Sequence, residues 1–276
     1  MSTHQRNPWR LILSPPASGA ENMALDDAVL QAVSTGASPP TLRLYAWDPP
    51  CLSIGYAQPI GDVDLQKLEA LGWDLVRRPT GGRAILHTDE LTYAVISPEH
   101  HPDLSGGVLR SYQKLSAGFA AALKGLGLEV TIQPDIKLPE DQRTDPVCFQ
   151  VPSAYEITAE DKKLIGSAQV RRRGGVLQHG TIPLRGDIAR ICQVLNYETQ
   201  TDREEAQQRV REQAATITDL LGRPVDWIDV AQAIKEGFER SLGWTLVEGG
   251  LTDHELQTCD SLTTTRYRSQ DWNLRI

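Results

Sequence analysis

The spacing of apolar and polar residues divides the chain into short runs, and the period of each run predicts its element. Trp9 to Leu13 reads as a strand ended by Pro15-Pro16. Ser18-Gly19-Ala20-Glu21 has the spacing of a capping box, in which the hydroxyl and the carboxylate each satisfy a backbone N–H left unpaired at a helix start. Leu25, Ala28, Val29, Ala32 and Val33 continue at helical spacing, with Asp26-Asp27 expected on its solvated face. Thr41 to Ala46 alternates with period two until Asp48-Pro49-Pro50, and Cys51 to Ile54 is a short strand closed by Gly55. Leu65, Leu68 and Leu71 define a short helix stopped by Gly72. Trp73 to Arg78, Arg83 to His87 and Leu91 to Ile96 read as consecutive strands, the first two joined by the turn Pro79-Thr80-Gly81-Gly82.

Val108, Tyr112, Leu115, Phe119 and Leu123 mark one face of a long helix, and Leu128 to Gln133 reads as a strand. Pro134 to Pro146 is charged and aperiodic, an exposed loop. Strands resume at Tyr155 to Thr158, Leu164 to Val170 and Val176 to Leu184. From about 186 to 276 the pattern is mostly helical. Thr201-x-x-Glu204 and Thr252-x-x-Glu255 have capping-box spacing, and Ile228, Ala231, Ile234, Phe238 and Leu242 form an apolar stripe that stops at Gly243. Strands interspersed with helices predict an α+β fold with a large, mostly antiparallel or mixed sheet flanked by helices.

The 276 residues carry a net charge of −8, which argues against a general nucleic-acid binder. No stretch approaches the roughly 20 apolar residues of a membrane span, and Met1 to Arg6 leads into no apolar run. The expectation is a soluble, cytoplasmic protein. Its basic residues are clustered, at Arg77-Arg78 with Arg83 and at Arg171-Arg172-Arg173. Each cluster fits either a solvated loop or a docking site for an acidic partner. Four cysteines, Cys51, Cys148, Cys192 and Cys259, lack metal or disulfide spacing, so each is buried filler or a lone reactive thiol.

Arg77 to His87, with paired glycines between flanking cations, fits a plain hairpin or a backbone that a ligand approaches closely. Cys148 ends the exposed loop, where a thiol is accessible. Lys163-Leu164-Ile165-Gly166-Ser167-Ala168-Gln169 and Gly174 to Gly180 follow. A reactive thiolate needs a nearby cation, and a thioester under attack needs a donor where the oxyanion forms. Lys163 supplies both if the fold brings it to Cys148, and is otherwise a solvated turn lysine. His100-His101 reads as exposed, with metal binding a minor alternative; His87 and His179 are better placed to position substrate. No P-loop or strand-linked G-x-G-x-x-G run is present.

In order, R-R-P-T-G-G-R-A-I-L-H, K-L-I-G-S-A-Q and L-Q-H-G-T-I resemble the lipoate-protein ligase A family, and the resemblance runs from about Trp9 to the Arg266 to Asn273 tail. Cys148 to Glu156 and the short His87-Thr88-Asp89-Glu90 segment are most similar to its octanoyltransferase branch. Ligases have a third glycine where Arg83 stands, and Thr88 replaces the aspartate usual beside His87. The resemblance implies one catalytic domain over 1–276, of the biotin/lipoyl protein ligase (class II synthetase-like) type. It implies octanoyl transfer, without ATP, from acyl carrier protein to the lysine of a lipoyl domain, on glycine cleavage H protein or a 2-oxoacid dehydrogenase E2; a monomer without a metal site is expected. Cys148 becomes the acyl-enzyme nucleophile and Lys163 the amine at the acyl carbonyl. Arg78, Gly81, Gly82, His87, Gly166, Ser167 and His179 become substrate-binding residues. An ATP-dependent lipoate ligase is the alternative, and a non-catalytic acyl-binding module a rival of another kind.

Overall fold

Residues 8–133, 146, 147 and 156–276 are described by a computed structural model. In chain order the elements are β1 (Trp9–Leu13), α1 (Gly19–Ser34), β2 (Thr41–Tyr45), β3 (Cys51–Ile54), α2 (Leu65–Ala70), β4 (Asp74–Arg77), β5 (Ile85–His87), β6 (Glu90–Pro98), α3 (Val108–Gly125) and β7 (Thr131–Ile132). They continue with β8 (Ile157–Ala159), β9 (Lys162–Lys163), β10 (Gly166–Arg172), β11 (Gly175–Pro183), α4 (Gln200–Gln213), α5 (Ile217–Leu221), α6 (Trp227–Leu242), β12 (Leu246–Glu248), α7 (Asp253–Leu262) and α8 (Gln270–Asn273).

The protein is α+β. A mixed six-stranded sheet has the order β10-β11-β6-β2-β1-β12, antiparallel as far as β2 and parallel from β2 through β1 to β12. Central strand β6 shows why it is buried on both faces. Its Leu91, Tyr93 and Val95 meet Phe119 of α3 and Phe238 of α6, while Ala94 and Ile96 meet Ala24, Ala28 and Val29 of α1. This is the two-residue period of a strand feeding two cores. Among the described residues there are also two three-stranded sheets, β4-β3-β5 and β7-β8-β9. The first packs Leu52, Ile54 and Ile85 against Ile191, Val194 and Val210.

Helix α1 begins with the predicted box, Ser18 with Glu21, and α7 with Thr252 and Glu255. The box of α4 is displaced from the expected one: Thr199 caps and Asp202 reciprocates. Gly81-Gly82 is no hairpin. Strands β4 and β5 both pair with β3, parallel and antiparallel respectively, so the connection passes over the end of β3. The expected strand from Leu164 to Val170 is also divided. β9 belongs to a small sheet, Leu164 and Ile165 cross buried between sheets, and β10 starts at Gly166. On α6 the stripe is displaced at its start, with Ile228 56% exposed and Val230 buried.

Candidate active site

A pocket of about 340 Å³ lies between the glycine connection and the β10–β11 pair. Met23, Tyr45, Trp47, Ile85 and Ala168 give it apolar surface; Arg78, Gly82, His87, Thr92, Gly166, Ser167, His179 and Gly180 supply the rest. A mostly apolar wall with a few placed polar groups suits a small ligand with one polar end. Gly81 is exposed and lies outside that lining. Gly82 has φ +94°, and a Cβ built on Gly55 would come within 1.9 Å of its carbonyl oxygen, so backbone meets backbone where the connection passes over β3.

The cations around this connection mostly build it. Arg77 is fully buried and donates to the carbonyls of Gly55, Gln58, Asn273 and Arg275 at 2.7–3.2 Å. Arg78 donates from Nη1 to the Ser53 carbonyl and hydroxyl, 2.7 Å each, and from Nη2 to the carbonyl of Arg83 at 2.8 Å. Ser53 Oγ lies 2.6 Å from His87 Nε2, and His87 Nδ1 lies 2.6 Å from Glu90 Oε1. Arg78 can only donate, so the Ser53 proton goes to Nε2 and the His87 proton sits on Nδ1, facing Glu90. Thr92 and Thr181 also donate to Glu90, and Trp47 stacks on His87 with centroids 3.9 Å apart. His87 is therefore held in one tautomer at the pocket wall.

His179 is anchored from the opposite side. Its Nδ1 faces Asp26 Oδ2 at 3.3 Å and its Nε2 faces Thr80 Oγ1 at 2.7 Å. Burial pushes the imidazole below its usual range, against the opposing pull of Asp26. The Asp26 carboxyl stays below its ordinary range: burial opposes its ionisation, but the His179 hydrogen bond and the Arg43 charge outweigh burial. Asp26 and Asp27 are thus not a solvated face. Asp26 pairs with fully buried Arg43 at 2.8 Å and accepts from Tyr45; Asp27 pairs with Arg172 and Arg266 and accepts from Tyr267.

Lys163 is buried rather than solvated, with Nζ 2.5 Å from Glu156 Oε1. It stands three residues before pocket-lining Gly166, which bounds the Cα separation at about 11 Å. Cys148 lies outside the described residues. Its chain neighbour Val147 is buried and bridged to Ala84, whose N–H donates to the Pro146 carbonyl at 3.0 Å. Ala84 directly precedes pocket-lining Ile85. Of the other thiols, Cys51 and Cys259 are pushed up by burial, Cys51 strongly, which disfavours their thiolates; Cys192 is buried.

The Arg171 to Arg173 cluster is not a patch of three exposed charges. Arg171 donates to Gln169 and to the carbonyls of Leu104 and Gly107, Arg172 pairs with Asp27, and Arg173 is exposed in the turn. His101 is half-buried against Trp9. Among the described residues no group of three or more His, Cys, Asp or Glu side chains is placed to hold a metal, and no helix is long and apolar enough to cross a membrane. Sequence reasoning missed Asp26, Ser53, Thr80 and Glu90 as supports of the histidines. Their partners come from other strands, and only Glu90, three residues after His87, left a local trace.

The Lipoyl protein ligase A/B catalytic domain model matches residues 18–239. Octanoyltransferase LipM of Kyrpidia tusciae is 43% identical over 275 residues, covering 97% of this chain and 98% of that protein. Octanoyltransferase LipM of Symbiobacterium thermophilum is 40% identical over 273 residues, with 97% and 98% covered. A bi-partite lipoate protein ligase from Thermoplasma acidophilum, solved as part of a lipoylation system with its E2 lipoyl domain, superposes with TM-score 0.80 at 25% identity and covers 97% of this chain and 96% of its own. Matched over most of its length, the chain belongs to the lipoyl protein ligase A/B catalytic-domain family.

Proposed function

We propose that this chain is an octanoyltransferase of protein lipoylation that carries the acyl group as a thioester on Cys148. The supporting observation is a mostly apolar pocket walled by Gly166-Ser167-Ala168, beside which the chain is bridged at Val147, immediately before Cys148. Full-length similarity to octanoyltransferases favours transfer over ATP-dependent ligation. The donor is acyl carrier protein. The acceptor is a lipoyl-domain lysine, on glycine cleavage H protein or a 2-oxoacid dehydrogenase E2, and the whole chain acts as one catalytic domain and as a monomer.

The Cys148 thiolate attacks the octanoyl carbonyl carbon; a new C–S bond forms, the carrier C–S bond breaks, and the carrier sulfur leaves and takes a proton. The deprotonated acceptor amine then attacks the enzyme thioester: the C–N bond forms, the Cys148 C–S bond breaks, and the departing sulfur takes the proton that the nitrogen gives up. The second step exchanges a thioester for an amide and requires no ATP. Lys163 assists by donating to the acyl oxygen, with Glu156 holding its ammonium. Arg78, Gly82, His87 and His179 shape the acyl pocket, while Gly81 fixes the connection around it.

Mixing the protein with octanoyl-carrier protein alone, without ATP, should add one octanoyl group by intact mass. Cys148→Ala should abolish both adduct and transfer. Transfer of free lipoate with ATP, without any adduct, would establish the ligase reading instead. Unchanged turnover in Cys148→Ala would remove the covalent mechanism. Each methylene removed from the donor chain should lower kcat/KM by about fourfold, the effect of about 0.8 kcal/mol of lost apolar contact.

A further inference from the structure

Ser167 is a pocket residue whose hydroxyl opens a chain of hydrogen bonds across three strands. Its Oγ lies 2.6 Å from the hydroxyl of Tyr93, which is fully buried in strand β6. Gln178 Nε2 donates to the Tyr93 oxygen at 3.4 Å, and Gln169 Nε2 donates to Gln178 Oε1 at 2.8 Å. Arg171 Nε donates to Gln169 Oε1 at 3.0 Å. The path therefore runs from strand β10 to β11, on to β6, and back to β10 at the pocket.

Arginine has no acceptor, so Arg171 fixes the sense of every link. The Gln169 oxygen must face it, which turns the Gln169 amide nitrogen to Gln178. The Gln178 oxygen must then face Gln169, which turns its nitrogen to Tyr93. Tyr93 accepts from Gln178, and among the described residues Ser167 Oγ is the one acceptor left for its proton, so the phenol donates to Ser167. Burial raises the Tyr93 pKa to about 12, so the phenol keeps that proton throughout the neutral range. What remains is the Ser167 hydroxyl hydrogen, at the wall of the pocket. Aligned hydrogen bonds polarise one another, and a cation at the far end reinforces the same direction. Arg171 is held in place by the carbonyls of Leu104 and Gly107, at 2.7 and 3.0 Å. The exposed Glu99 carboxylate lies 3.6 Å from its Nη1.

We infer that Ser167 is a catalytic hydrogen-bond donor to the acyl carbonyl oxygen, and that Arg171, Gln169, Gln178 and Tyr93 form a one-way relay that positions and polarises it. As the nucleophile adds to the carbonyl carbon, the C=O π pair moves onto that oxygen, and the Ser167 hydrogen bond strengthens as the charge grows. The inference rests on the acyl-pocket reading above. It assigns a role to one arginine of the Arg171 to Arg173 cluster that differs from partner docking.

Single-turnover adduct formation from octanoyl-carrier protein tests it. Ser167→Ala should slow the step by about 10²-fold with KM little changed. Tyr93→Phe should slow it by about tenfold and Arg171→Met severalfold, with Arg171→Lys restoring part of the rate. Placed in a Ser167→Ala background, Tyr93→Phe and Arg171→Met should have almost no further effect on rate, whatever each does to thermal stability. Equal slowing by Tyr93→Phe in both backgrounds, or none in either, would overturn the relay. A wild-type protein that forms no adduct contradicts the covalent reading, not the relay. Octanoate, whose carboxylate carries the negative charge that the neutral thioester carbonyl lacks, then decides by calorimetry: weaker binding in both Ser167→Ala and Tyr93→Phe supports the relay, and unchanged binding in both overturns it.

Discussion

Asp26 and Arg43 are both fully buried and 2.8 Å apart, one turn of sequence logic away from the solvated face the Asp26-Asp27 pair suggested. Removing one member leaves the other as an uncompensated buried charge. Asp26→Ala should therefore cost about 3–5 kcal/mol in urea denaturation. His179 makes the same core sensitive to pH. Its folded pKa is lowered by burial, so below the unfolded value of about 6.5 the unfolded chain binds the extra proton. Stability from this group is complete above that value. It is lost as pH falls towards the folded pKa, by up to about 1.4 kcal/mol per unit. Comparing urea midpoints at pH 5.5 and 7.5, His179→Gln should show a smaller loss than the parent. An equal loss in both would show that other groups carry the slope.

Packing between elements imposes constraints of another kind. Helices α3 and α6 cross at Gly118 and Gly237, where a Cβ on Gly237 would stand 2.6 Å from the Ala122 nitrogen and the Gly118 carbonyl oxygen. Alanine favours a helix over glycine by about 1 kcal/mol, yet here overpacking dominates. Gly237→Ala should lower stability by about 1–3 kcal/mol, whereas Gly125→Ala, whose nearest contact is the end of the Arg240 side chain at 3.5 Å, should not. The β10–β11 pair is close in the same way, since a Cβ on Gly180 would lie 2.3 Å from the Gly166 carbonyl oxygen. That proximity places Gly166-Ser167-Ala168 against the pocket.

Across the whole molecule, the C-terminal tail is part of the site's foundation. Arg77 donates to Asn273 and Arg275 carbonyls, the Asn273 side chain accepts the Arg77 N–H at 2.8 Å, and Trp272 Nε1 donates to the Arg77 carbonyl at 2.9 Å. These contacts tie residues some 200 positions apart to the base of the glycine connection. Truncation after Trp272 would strip acceptors from a buried guanidinium. It should lower stability by more than about 3 kcal/mol and reduce acyl transfer, read by thermal melting and single-turnover rate. Retained melting temperature and rate would show the tail to be dispensable.

Local chemistry was enough to read most helices and strands, because a capping box, an apolar stripe or a two-residue alternation is written in adjacent residues. Ser18 with Glu21, Thr252 with Glu255, and the stripe ending at Gly243 needed no tertiary information. The nearly continuous apolar run from Leu91 to Ile96 likewise marks β6 as a strand in its own residues. What the tertiary structure alone decided is which polar groups meet. Strand β3 separates β4 from β5, Lys163 turns inward to Glu156, and Asp26 faces His179 across 153 positions. Pairing a buried charge depends on which distant strand becomes its neighbour. No spacing within one segment encodes that, since the energy that turns the side chain inward exists only once its partner has arrived.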